Sequence, residues 1–226
     1  MKSEIRAVIF DMDGVLVNSE PLINAAAIQM FKEKGLTVQP EDFLRFVGAG
    51  EDRYIGGVAE KYNFPLDVAE AKRRTYEIYL DLVPSELEAF PGAYDLVLAC
   101  RKAGLRIAVA SSADRIKVVA NLQKINLPPE FWDAFVVAQR VERQKPAPDI
   151  FLFAAEKLNA EPVECVVVED AVNGVEAAKA AGMRCVAVAT TFPADRLQGA
   201  DVVRDSISQI QLSDLAPQAI SREDLQ

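Results

Sequence analysis

The 226-residue chain contains no histidine. That removes Ser-His-Asp and Cys-His nucleophiles, imidazole acid–base shuttles and histidine metal sites. Any enzyme chemistry must run on carboxylates, lysine, serine or cysteine. Cysteine is scarce too. Cys100, Cys165 and Cys185 are odd in number and widely spaced, and no Cys-x-x-Cys occurs. This is the pattern of structural thiols in a reducing compartment. Cys165 and Cys185 fall in strand-like apolar runs, where a small buried hydrophobe suffices. No apolar run approaches the length of about 18–20 residues that spans a bilayer, so no membrane partner is expected. The opening Met1-Lys2-Ser3-Glu4-Ile5-Arg6 has no long apolar core and no small-residue cleavage site, and a cytoplasmic location is expected. Positive charge is in the minority, with 25 Lys and Arg against 34 Asp and Glu, a net −9. Such a chain repels phosphate backbones unless basic residues are concentrated. The cluster Lys72-Arg73-Arg74 reads as a solvated helix face, so no nucleic-acid partner is expected.

Half of the residues are hydrophobic, enough for a well-filled core. The length suits one large domain, or one domain carrying an insertion. Short apolar runs recur at Ala7-Val8-Ile9-Phe10, Ile107-Ala108-Val109-Ala110, Ala134-Phe135-Val136-Val137, Cys165-Val166-Val167-Val168 and Cys185-Val186-Ala187-Val188. They are continuous and rich in β-branched residues, as in parallel strands buried on both faces. Helical patterns lie between them at 93–103, 116–125, 148–158 and 174–181, with Gly104 and Gly182 placed as C-caps. Alternating strand and helix predicts an α/β fold, a doubly wound parallel sheet of Rossmann-like kind.

Residues 18–85 break the alternation. They contain no buried strand, and 21–34, 41–46, 54–62 and 67–81 read as amphipathic helices. The expected organisation is a core of 1–17 and 86–226 with an all-helical cap domain at 18–85. The polar tail after Ser213 is expected to fray.

In an open α/β sheet, ligands bind beyond the carboxyl ends of the strands. Asp11-Met12-Asp13-Gly14 follows the first run. Residues two apart in extended backbone point the same way, so both carboxylates can face one site. Buried acids are costly unless paired or metal-bound. An Asx-turn explains one such Asp less demandingly, but not two followed by Gly. Ser111-Ser112 follows the second run and can hold an anion or cap a helix. Lys145 follows the third, between Gln144 and Pro146-Ala147-Pro148-Asp149; a held lysine is a point charge for phosphate or carboxylate. Glu169-Asp170 ends the fourth, ahead of Asn173-Gly174. Hard oxygen ligands without His or Cys suit Mg²⁺ rather than Zn²⁺.

Taken together, these motifs resemble the haloacid dehalogenase superfamily, in the subgroup with a helical cap after the first motif. The resemblance covers nearly the whole chain, and its layout is similar to β-phosphoglucomutases and related small-metabolite phosphatases. It implies a Mg²⁺-dependent phosphomonoester hydrolase acting through an aspartyl-phosphate. Asp11 would be the nucleophile and Asp13 the general acid and base. Ser111 and Lys145 would bind the transferring phosphoryl group. The Asp11 carboxylate, the Asp13 carbonyl and Asp170 would hold Mg²⁺, with Glu169 assisting. Dehalogenases of the superfamily lack the second Asp, so carbon–halogen hydrolysis fits poorly.

The similar mutases use a cap histidine, whose place falls near Ile23, and a cap arginine where Gly48-Ala49-Gly50-Glu51-Asp52-Arg53 stands here. A site without that second phosphate grip releases product to water, so hydrolysis is expected over transfer. Asn18 stands where the family usually has Asp. Ala110-Ser111-Ser112-Ala113-Asp114-Arg115 and the Gly-rich loop also resemble the phosphatase-like domain of chloroplast suppressor-of-quenching proteins. Expected substrate contacts are Ser111, Ser112, Lys145, Gly48, Gly50, Glu51, Arg53 and Glu20. Lys72-Arg73-Arg74 and Arg115 are further candidates, each also readable as ordinary surface. Loops near Gly48-Ala49-Gly50 and Gly56-Gly57 are expected to approach the ligand. The expected partner is a small phosphorylated metabolite, and the expected state a monomer. A non-catalytic binding domain is the competing class; the intact acids and Lys145 argue against it.

Overall fold

The apolar runs do form parallel strands buried on both faces. The computed structural model describes residues 4–216. Its sheet has β1 (Ala7–Phe10), β2 (Arg106–Ser111), β3 (Ala134–Val137), β4 (Cys165–Glu169), β5 (Arg184–Val188) and β6 (Val202–Arg204). All pairings are parallel, in the order β3-β2-β1-β4-β5-β6. β1 is central, with Ala7 opposite both Arg106 and Cys165. The carboxyl ends of β1, β2 and β4 therefore lie side by side.

Alternate side chains of each strand enter two cores. Val8, Phe10, Val109 and Val168 face α4 (Ala93–Lys102) and α5 (Arg115–Lys124). Ala7, Ile9, Ala108 and Val167 face α6 (Asp149–Lys157) and α7 (Val172–Ala180). Cys100, Cys165 and Cys185 are buried, unpaired thiols, as expected of structural cysteines. Gly104 and Gly182 follow α4 and α7 at φ +79° and +74°, a conformation open to glycine without strain.

Between β1 and α4 the chain forms α1 (Glu20–Glu33), a 3₁₀ segment (Pro40–Phe46), α2 (Glu51–Lys61) and α3 (Val68–Glu86). α1 packs on α3, and Phe43 sits against both Phe31 and Tyr54. Tyr79 of α3 donates to Asn121 of α5 at 2.8 Å, which docks this helical insert on the sheet layer.

Several boundaries differ from the sequence expectation. Residues 40–46 are a 3₁₀ segment closed by a reciprocal Gln39–Asp42 box. α3 runs through Pro84 to Glu86, five residues past the expected end, and Lys124 Nζ donates to the Pro84 carbonyl at 2.6 Å. Gly56-Gly57 is not a loop but lies within α2; a Cβ on Gly57 would stand 2.4 Å from the Phe46 ring. β6 has three half-buried residues, too few for a hydrophobic run to register. Ser213 does not begin a frayed end: α8 (Leu212–Leu215) holds it, Leu215 is buried and Arg204 pairs with Asp214. The rest of that tail lies outside the described residues.

Candidate active site

Asp11 is the first residue beyond β1, its amide held by the Val168 carbonyl at 2.9 Å. Lys145 Nζ donates to Asp11 Oδ1 at 2.5 Å and to Glu169 Oε1 at 2.6 Å. The second Glu169 oxygen accepts from the Asp170 and Ala171 amides, both at 2.7 Å. Asp170 is buried beside them, and oxygens of Asp11, Glu169 and Asp170 lie within 4.8 Å of one another.

Two glycines make room for this cluster. Gly14 has φ +76°, and a Cβ there would stand 1.9 Å from Asp170 Oδ2. A Cβ on Gly174 would stand 1.8 Å from Glu169 Oε1.

Burial pushes Asp11 up to about 7; Glu169 and Asp13 add to the rise, and Lys145 opposes it. Asp170 is raised well above the carboxylate range by burial, then by Glu169 and Asp11. Burial works against the charge on Lys145, but Asp11 and Glu169 outweigh it and hold the ammonium protonated. Once ionised, the three buried carboxylates outnumber the one lysine and carry an excess of negative charge. An all-oxygen donor set with that excess fits a hard divalent cation. Glu169 already spends both oxygens on hydrogen bonds, so Asp11 and Asp170 are the freer donors.

The Asp13 carboxylate stands outside this cluster. It accepts from Ser19 Oγ and from Lys117 Nζ, the latter at 3.1 Å. Lys117 is 3 % exposed and also donates to Glu51 Oε1 at 3.0 Å, joining α5 to α2. Tyr54 donates to Glu20 Oε1 at 2.7 Å. Burial raises Glu20 to about 7 against the pull of the Tyr54 hydrogen bond.

The expected residues Asp11, Asp13, Glu20, Gly48, Gly50, Glu51, Ser111, Ser112, Lys145, Glu169 and Asp170 all line one cleft. Gly48 and Gly50 have φ +78° and +84°, and Asn173 Nδ2 ties the Gly48 carbonyl to α7 at 2.7 Å. The Ser111 hydroxyl is buried and accepts from the Ala113 amide at 3.1 Å, whereas the buried Ser112 Oγ has no partner among the described residues.

Arg53 does not line the cleft. It pairs with Glu60 at 2.7 Å and lies over the Phe46 ring, because its place on α2 turns it to the surface. Arg115 lies over Phe135, Lys72 pairs with Asp52 and Asp114, and Arg74 pairs with Glu33 and Glu77. These are surface arrangements outside the cleft lining.

Sequence reasoning missed Lys117, Tyr54 and Thr191, the last a cleft residue whose side chain hydrogen-bonds Asp170. A signal for Lys117 exists: it shares the buried face of α5 with Val118, Asn121 and Leu122, and a lysine four residues from an asparagine on such a face calls for polar partners.

The model of the family described as haloacid dehalogenase-like hydrolase matches residues 5–182. The chain is 49% identical over 217 residues to the chloroplastic protein SUPPRESSOR OF QUENCHING 1 of Arabidopsis thaliana, covering 94% of this chain and 21% of that protein. It therefore spans about a fifth of that relative's length. It is 31% identical over 221 residues to hexitol phosphatase B of Escherichia coli K12, covering 94% and 97% of the two chains. The crystal structure of a point mutant of CbbY from Rhodobacter sphaeroides with xylulose-(1,5)bisphosphate superposes with TM-score 0.87 at 29% identity, covering 94% and 99%. The chain belongs to the haloacid dehalogenase-like hydrolases.

Proposed function

We propose that this haloacid dehalogenase-like hydrolase is a phosphatase that hydrolyses phosphate monoesters of small metabolites, with Asp11 as nucleophile. The observation that carries the reading is the Lys145 bridge between Asp11 and Glu169, with Asp170 beside it and a second aspartate two residues on. Phosphatases among its relatives support it.

An Asp11 carboxylate oxygen attacks phosphorus, and the phosphorus–ester oxygen bond breaks. Asp13 donates its proton to the leaving oxygen. Asp13 then takes a proton from water, whose oxygen attacks the aspartyl-phosphate and releases orthophosphate and the Asp11 carboxylate. Lys145 sets its charge against the transferring phosphoryl oxygens. The Ser111 and Ser112 hydroxyls would donate to those oxygens.

The donor set fits Mg²⁺, which Asp11, Asp170 and the Asp13 carbonyl would hold, with Glu169 acting through its hydrogen bonds and Lys145. The ion would offset negative charge on the phosphoryl group. The loop at Gly48 and Gly50, with Glu20 and Glu51, meets the leaving group. The lack of histidine in the sequence, and of an arginine lining the cleft among the described residues, favours release to water over return to a second hydroxyl.

The test is phosphate release from a panel of small phosphomonoesters with Mg²⁺, beside EDTA controls, Asp11→Asn and Asp13→Asn. Turnover should fall at least about a thousandfold in Asp11→Asn. Equal turnover in Asp11→Asn and wild type would sink the mechanism. A folded, Mg²⁺-binding protein that releases phosphate from no ester would favour a mutase or a binding domain.

A further inference from the structure

The cleft has a second wall, built by the insert and α5 around Glu20, Glu51, Tyr54 and Lys117. Its charges are unevenly matched. Lys117 is its only cationic side chain among the described residues, and it is already shared between Asp13 and Glu51. Glu20 has no ion pair among the described residues; the Tyr54 hydroxyl serves one of its oxygens. Lys145, the other lysine of the cleft, is committed to Asp11 and Glu169. An incoming anion at this wall finds carboxylates and no free cation. Lys117 spends two of its three N–H donors on Glu51 and Asp13, so an anion that reaches it meets both carboxylates alongside. A hydroxyl, in contrast, donates to a carboxylate and gains a charge-assisted hydrogen bond.

We propose that this wall selects phosphate monoesters with an uncharged, hydroxyl-rich leaving group, whose hydroxyls donate to Glu20 and Glu51, and rejects leaving groups bearing a second phosphate or a carboxylate. The selection combines attraction and repulsion: the carboxylates that receive the polyol repel its anionic analogue. The substrate class is thus a neutral polyol or sugar monophosphate. The inference rests on the phosphatase reading above.

Two matched pairs test it. Sorbitol 6-phosphate and 6-phosphogluconate differ at one end, as alcohol and carboxylate. Glucose 6-phosphate and glucose 1,6-bisphosphate differ by one phosphoryl group. Wild-type kcat/KM should be at least about tenfold higher for the neutral member of each pair, a difference of about 1.4 kcal/mol. Glu51→Gln frees Lys117 to meet an anion, so its ratios should shrink severalfold; Glu20→Gln keeps an acceptor oxygen but removes the charge that strengthens the hydroxyl's hydrogen bond and repels an anion, and should lower them too. Calorimetric binding of the same four esters to Asp11→Asn separates the wall from the chemistry. Preference for the neutral member in binding, without Asp11-dependent turnover, would uphold the wall and overturn the phosphatase reading. Equal or better binding and turnover of the anionic members, or no binding of any of the four, would overturn the inference.

Discussion

Gly14 and Asp170 are packed so closely that no side chain fits between them: a Cβ on Gly14 would stand 1.9 Å from Asp170 Oδ2. Gly14 also holds φ +76°, which costs an L-residue about 1–2 kcal/mol. Gly14→Ala should therefore displace Asp170 and weaken Mg²⁺ binding by about 10–100-fold. Gly174→Ala crowds the neighbouring acid without backbone strain, since Gly174 lies in α7 with no left-handed φ and a Cβ there would stand 1.8 Å from Glu169 Oε1. Mg²⁺ titration of both variants, with circular dichroism to establish folding, makes the check. Unchanged affinity in Gly14→Ala would remove Asp170 from the ion site.

The buried acids predict a proton linkage. Asp11 is raised by burial from 3.8 to about 7. Between those values the folded chain keeps a proton that the unfolded chain has lost. Its contribution to stability is therefore complete below 3.8 and disappears as pH rises through about 7. A cation needs the ionised form, so Mg²⁺ affinity should rise with pH up to about 7 and binding should release protons below it. Calorimetry in two buffers of different ionisation heat should find net release at about pH 6 and much less at about pH 8. Buffer-independent heats at the lower pH would refute the linkage.

Lys117 should matter to the fold as well as to the cleft. Lys117→Met strands Glu51 and Asp13 without their cation, a loss of about 3–5 kcal/mol for a buried pair. The double variant Lys117→Met with Glu51→Gln should regain part of it, with a coupling of about 0.5–3 kcal/mol. Urea unfolding of the wild type, both single variants and the double gives the cycle. Strict additivity would mean that the 3.0 Å contact joining α5 to α2 carries no energy.

Arg53 yields the contrary expectation. Its partner Glu60 is exposed, and pairs of that kind contribute about 0–1 kcal/mol. Arg53→Ala should lower stability by less than about 1 kcal/mol and leave KM for a neutral monoester unchanged. A large rise in KM would bring Arg53 back to the substrate.

The strand-end half of the cleft was legible because strand ends announce themselves. A continuous apolar run followed by acid, hydroxyl or lysine marks both the element and the side chain that emerges from it, as at Phe10-Asp11 and Val168-Glu169-Asp170. The doubly wound parallel sheet followed from the same runs, apart from β6, which is too short to carry a pattern; the strand order did not. The insert was harder. Its helices were visible as periodicity, but which helical residue faces the cleft depends on how α2 is turned. Arg53 and Glu51 are two residues apart on a helix and point to different sides, and so one reaches Lys117 while the other reaches Glu60. Gly56-Gly57 was read as a loop on intrinsic propensity, whereas packing against Phe46 decided it.

The central place of β1 bears on how the chain is born. Its neighbours are Arg106–Ser111 and Cys165–Glu169, about a hundred residues or more downstream. At a synthesis rate of about 5–20 residues per second, β1 leaves the ribosome several seconds before either partner exists. In that interval its four apolar residues have no strand to join, while α1 and α3, which pack on each other, are already complete. The segment that later covers the cleft is thus available first, and the nascent first strand waits for a sheet that must assemble around it from the middle outward.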